Sequence, residues 1–72
     1  MSDIQAVLFD KRKNWTTTKA KRWLNKHHLK PIKEVHETKN ELRYRIQEPN
    51  SKRKMRIMHF GKDTGIEAVL MF

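Results

Sequence analysis

The last seven residues, Ile66 to Phe72 (IEAVLMF), constrain the fold most, because a strand drawn from them is apolar on both faces. Ile66, Ala68, Leu70 and Phe72 alternate onto one side, with Val69 and Met71 on the other, and such a strand is unsuited to a sheet edge in water. Two further segments share this property. Ile4 to Phe9 (IQAVLF) reads as a short strand buried on both faces, and Met55 to Phe60 (MRIMHF) carries apolar residues on either side. Between the last two segments, Gly61, Lys62, Asp63, Thr64 and Gly65 read as a hairpin loop, with glycines for positive φ.

The middle of the chain changes period. Thr16, Thr17 and Thr18 offer N-caps for a helix running to His28, in which Ala20, Trp23, Leu24 and His27 fall on one stripe. Lys19, Arg22 and Lys26 form an adjoining stripe with Trp23 at the border, and Pro31 bars continuation. Ile32 to Glu37 reads as a strand and Thr38 to Asn40 as a turn. Leu42, Tyr44 and Ile46 then alternate with Arg43, Arg45 and Gln47, giving one apolar and one cationic face, before Pro49, Asn50 and Ser51 interrupt the chain.

These elements predict an α+β fold: one main helix packed on a small antiparallel-rich sheet of four to five strands, in a single small basic domain over residues 1–72. A domain of 72 residues buries only about 60 % of its unfolded surface, so it usually needs a staple. The chain has no cysteine, which removes disulfides and thiolate metal sites. One helix covers one face of a sheet. The strands apolar on both faces therefore predict a homodimer that buries the second surface.

Charge is the other strong signal. Lys and Arg number 17 against 8 Asp and Glu, a net charge of +9. Nine of those bases lie between Lys11 and Lys33 with no acid among them, and the rest of the chain is balanced. Segregation of this kind creates a field suited to a polyanion. The residues expected to meet nucleic acid are Lys11, Arg12 and Lys13 ahead of the helix, Trp15 as a stacking ring, and Lys19, Arg22 and Lys26 on the helix. Arg43 and Arg45 are expected to extend the track, and Lys52, Arg53, Lys54 and Arg56 form a second cluster. Phosphate contacts fix position without reading bases, so binding is expected to be largely independent of sequence.

Other chemistry has weaker support. Asp63, Thr64 and Gly65 spell the D-T-G triplet of retroviral-type aspartic proteases, yet Gly61 and Lys62 precede it where that site requires an apolar strand, so a hairpin turn is the reading. His27 and His28 point about 100° apart on a helix, while His36 and His59 stand alone, so no zinc site is expected. Two glycines cannot build a nucleotide-phosphate cradle. Asn14, Trp15 and Thr16 match a glycosylation sequon, read as chance. No apolar run approaches the ~20 residues of a membrane span, and the N-terminus is acidic where a signal peptide is basic. The expectation is a non-enzymatic protein with no cofactor, no small-molecule substrate and no membrane partner.

Three segments carry a resemblance: WTTTKAKRWLNKHH (15–28), HETKNELRYRI (36–46) and GIEAVLMF (65–72). Together they resemble a small domain met in large nucleocytoplasmic DNA viruses, including the Marseillevirus group, and appended to some tailed-phage head proteins. Glu37, Thr38, Asn40, Arg43 and Arg45, at fixed spacing, are its most specific part. The resemblance implies a basic virion protein packed with the genome, then present in host cytoplasm or nucleus after entry, with no known catalytic residues. With the charge, it predicts a DNA-binding protein, chiefly of duplex DNA, acting in genome compaction or early infection. A capsid or scaffold module meeting acidic proteins remains an alternative, as does a host-factor adaptor whose KRK and KRKMR runs resemble nuclear-import clusters.

Overall fold

A computed structural model describes residues 3–61 and 63–72. Met1 and Ser2 of the acidic N-terminus, and Lys62 of the hairpin loop, lie outside the described residues. The fold is α+β. Five strands form one antiparallel sheet: β1 (Asp3–Asp10), β2 (His36–Glu37), β3 (Glu41–Arg45), β4 (Met55–His59) and β5 (Ile66–Met71), in the order β2-β3-β1-β5-β4. The single α-helix of the described residues, α1 (Thr17–Lys26), follows β1 through a short 3-10 helix at Lys11–Lys13.

The two segments most apolar on both faces, β1 and β5, take inner positions and pair with each other. Val7 lies between Tyr44 and Ala68, and Phe9 between Leu42 and Ile66, so these six side chains form the face covered by Ala20 and Leu24 of α1. Alternation sends Ala6 and Leu8 to the opposite face, between Arg45 and Val69 and between Arg43 and Glu67 respectively. Ala6 and Met71 are buried there without a helix above them. The rest of that face is partly open: Leu8 and Val69 are half-buried, and Ile57, paired with Val69, is exposed. A bulge between Ile4 and Ala6 lets Gln5 accept from the amides of Ile46 and Gln47 and donate through Nε2 to the Gln47 carbonyl.

Thr16 is the N-cap, its hydroxyl accepting from the Lys19 amide at 3.3 Å. The helix stops at Lys26, short of the expected His28 and well before Pro31. Its stop is a Schellman motif. His28 takes the left-handed conformation at φ +57°, its amide donating to the Asn25 carbonyl, while the Leu29 amide returns to Leu24 and the Leu29 side chain packs on the core. No glycine marks the place, so Pro31 was the visible but secondary signal.

The expected strand over 32–37 is reduced to His36–Glu37. Pairing of His36 with Arg43 would set Glu34 opposite Arg45, yet the amide that reaches the Arg45 carbonyl is that of Ile32. Two surplus residues break the ladder, and the displaced segment forms one lip of a cleft of about 720 Å³ beside Leu24 and Tyr44. The Tyr44 hydroxyl is buried with no hydrogen-bond partner among the described residues, and burial raises its pKa above the ordinary value.

Two stability measurements check these points. His28→Gly relieves the left-handed strain of a side chain and should raise stability by about 0.5–1 kcal/mol in chemical denaturation. Tyr44→Phe removes an unsatisfied buried hydroxyl and should be neutral or stabilising by about 1 kcal/mol, where removal of a satisfied one would destabilise.

Candidate nucleic-acid interface

The cationic stripe on α1 has the predicted form. Lys19, Arg22 and Lys26 share one flank of the helix, and with Trp15 and Trp23 they line an open cleft of about 350 Å³. Among the described residues, no acidic side chain lines it. Arg22 and Lys26 are exposed and have no ion-pair partner among the described residues, while Lys19 Nζ donates to the Asn14 carbonyl at 3.2 Å.

Both indoles are fixed from below by Phe9. Its ring centroid lies 4.8 Å from Trp15 and 5.6 Å from Trp23, the latter edge-on. Trp15 Nε1 also donates to the Thr64 carbonyl at 2.7 Å, tying the cleft to the β4–β5 hairpin. Trp23 packs edge-on against Phe60 at 5.4 Å, and the exposed His27 ring lies over it at 4.1 Å. Each tryptophan is half-buried, so each serves the core and the cleft together. Trp23, at the border of the apolar and basic stripes, packs on the core and turns an edge into the cationic cleft.

Gly65 makes this geometry possible. At φ +75° it approaches so closely that a Cβ would lie 2.7 Å from Lys13 Cβ and 3.3 Å from Trp15 Cδ1. The D-T-G triplet occupies this hairpin turn: Asp63 is left-handed at φ +60°, and the Thr64 hydroxyl donates to the Phe60 carbonyl.

The remaining candidates divide. Lys11 Nζ is held by Glu37 at 2.6 Å and by the Thr38 carbonyl at 2.8 Å. Arg12 grips Asp10 with two nitrogens, at 3.1 and 3.2 Å, and this bonding holds the Asp10 carboxyl below its usual pKa. Lys13 is exposed and has no acid partner among the described residues, and it adjoins Trp15 through Gly65. Arg43 and Arg45 do not extend the helix stripe: Leu42 and Tyr44 face α1, so alternation places both arginines on the opposite face of the sheet. There they share a small cleft of about 160 Å³ with Lys33, Glu34 and His36, and Arg45 lies 3.5 Å from Glu48. Arg53 is structural, bonded to Asp3 at 2.9 Å and to the Met71 and Phe72 carbonyls. Arg56 stands over the Phe72 ring at 5.5 Å. Lys52 and Lys54 are exposed in the approach to β4.

Among the described residues, no cluster of His, Asp and Glu is placed to hold a metal ion, and no helix is long and apolar enough to cross a membrane. Comparison with protein-family models, curated proteins and solved structures finds no match to this chain.

The close approach at Gly65 is testable. Gly65→Ala should destabilise the domain by about 1–2 kcal/mol, since it adds both a left-handed side chain and a backbone-proximal clash. Tryptophan emission should shift at the same time, because the displaced groups are Lys13 and Trp15. A thermal shift without an emission change would show that the hairpin gives way while the cleft holds.

Proposed function

We propose that this protein is a non-enzymatic nucleic-acid-binding module that holds backbone phosphates along one flank of α1. One observation carries the reading: Lys19, Arg22 and Lys26 line an acid-free cleft together with two tryptophans. Cations at this spacing neutralise phosphates, and the indoles supply π surface for base or sugar edges. Phosphate contacts dominate, so affinity is largely indifferent to sequence. The proposed ligand is duplex DNA. A virion setting, with a role in genome compaction or early infection, rests on the sequence resemblance alone.

The proposed interface is narrower than the charge count. Lys13 joins the helix residues, whereas Lys11, Arg12 and Arg53 spend their charge on Glu37, Asp10 and Asp3. Those same pairings argue against the KRK run acting as a free import signal. Arg43 and Arg45, on the far face, are assigned no part in the same contact.

Salt titration of duplex binding tests this. The logarithm of affinity should fall with the logarithm of salt by about 0.9 for each phosphate neutralised. Replacing Lys19, Arg22 and Lys26 together by glutamine should reduce the slope by nearly three such increments. The Arg43→Gln, Arg45→Gln double variant should leave it unchanged. Equal slopes for the triple variant and the parent would reject the helix site. A parent that fails to bind DNA at low salt would transfer the cleft to an acidic protein partner, the scaffold alternative.

A further inference from the structure

Among the described residues, the large exposed apolar side chains other than Ile32 lie on or beside one sheet edge. Met55 is 42 % exposed, Ile57 62 % and Phe72 50 %, and every residue of β4 is exposed to some degree. Natural sheets protect their edges with short strands, proline, bulges or inward charges. The opposite edge, β2, is short and polar, with only His36 and Glu37. β4 has none of these protections except Arg56: five residues pair with β5 in unbroken register, with no proline.

The hydrogen-bonding groups of that edge can be assigned. The Phe72 amide donates to the Lys54 carbonyl and the Phe60 amide to the Ile66 carbonyl, so residues 54 and 60 turn their backbone groups toward β5. Antiparallel pairs alternate, so 56 and 58 do the same, and 55, 57 and 59 direct theirs outward. Three consecutive outward positions are a template for a further strand.

We propose that a second copy of this chain pairs there, β4 against β4 in antiparallel fashion, with Ile57 opposite its own counterpart on the two-fold axis. This register uses all three outward positions, since Met55 then meets His59 of the second copy. Charge selects it. Arg56 falls opposite Met58, whereas centring the axis one residue earlier would stack Arg56 on itself, a destabilising like-charge pair. On the face away from α1 the two Ile57 side chains cover each other, flanked by Met55.

A consequence follows from symmetry. Two antiparallel copies of one edge are related by an axis perpendicular to the sheet, so both helices lie on the same side of a ten-stranded sheet. The cationic flank of α1 is the one nearer β4, because Trp23 packs on Phe60, which directly follows that strand. Arg56 and Met58 point to the helix side, in register with Leu70 and Ala68. The dimer therefore forms an open channel with Arg56 and Met58 of both copies as its floor, bordered at diagonally opposite ends by the two Lys19, Arg22, Lys26 stripes. At about 4.8 Å per strand, the two β1 strands stand on the order of 24 Å apart across it. The pairing rests on the edge geometry; only the use of the channel rests on the nucleic-acid reading above.

Five residues per strand make a small contact, and a net charge of +9 on each copy opposes it. Salt should then strengthen dimerisation while it weakens DNA binding, which separates the two effects. The test uses free protein without nucleic acid, at high salt, where the Debye length falls to ~3 Å. Sedimentation should show twice the mass of one chain for the parent and for Ile32→Lys, an exposed apolar position on the other flank, and a single chain for Ile57→Lys. Because the chain has no cysteine, Ile57→Cys can trap a weak dimer: a hydrogen-bonded pair sets the two Cα atoms about 5.5 Å apart, within disulfide reach. Ile57→Cys should oxidise to a linked dimer, and Met55→Cys, which faces His59, should not. A parent that stays monomeric with no Ile57→Cys cross-link, a dimer that survives Ile57→Lys, or cross-linking at Met55 in preference to Ile57 would each overturn the proposal. Failure of DNA binding alone would leave the dimer standing and reject only the channel's use.

Discussion

Phe9 is the side chain on which the rest of the structure leans. It sits in a central strand, between Leu42 and Ile66, and its ring meets Trp15, Trp23 and Tyr44 at 4.8, 5.6 and 5.8 Å. Burial of a phenylalanine contributes about 1.5–3 kcal/mol, and each well-placed aromatic pair adds roughly 0.5–1.5. In a domain this small such a sum is a large fraction of the total. The same ring sets both tryptophans of the cleft, so stability and the candidate function share one anchor. The end of β1 is held on both sides as well, by Asp10 donating to Gly65 and Lys11 donating to Asn40. The hairpin, the cleft and the central strand are thereby one mechanical unit.

A thin core and an unprotected edge are two aspects of one size limit. A 72-residue chain with no cysteine cannot staple itself, and its single helix covers one face only. On the outer face Ala6 and Met71 are buried, and the exposed apolar area lies at β4. An edge strand of this composition normally brings a risk of uncontrolled association. High net charge counters that risk in the free protein, because like-charged copies repel until salt or a polyanion screens them. Charge and edge are therefore coupled.

The sequence was legible where a segment had a single environment. β1, β5 and the helix stripe follow from periodicity, the N-cap is the first of three threonines the sequence offers, and the positive-φ glycines of the hairpin follow from composition. It misled where local pattern competed with tertiary fit. Ile32 to Val35 alternate like a strand, but two surplus residues against Arg45 expel them from the ladder. His28 carries the helix stop without the glycine that would have announced it. In the site, Arg43 and Arg45 are as basic as Arg22; only a strand's period of two against the sheet decides that they face away. Arg53 belongs to a basic run, and its ion pair with Asp3 joins residues fifty positions apart, which no window shows.

The helix itself breaks local rules in a way that points outward. It has no acidic residue in its first turn, so it forgoes the 0.3–1 kcal/mol that a negative charge there typically contributes. Lys19 and Arg22 stand at i,i+3, and Arg22 and Lys26 at i,i+4, two like-charge pairs that each cost about 0.2–0.5 kcal/mol. Within the domain Lys19 Nζ reaches only the Asn14 carbonyl, and Arg22 and Lys26 have no ion-pair partner among the described residues. A sequence selected for stability alone would place a glutamate four residues from one of these bases. Consistent local choices are the norm in folded chains, and departures concentrate at functional surfaces. An anion laid along this flank reverses the sign of every one of these penalties at once, which no change inside the protein does while keeping the stripe.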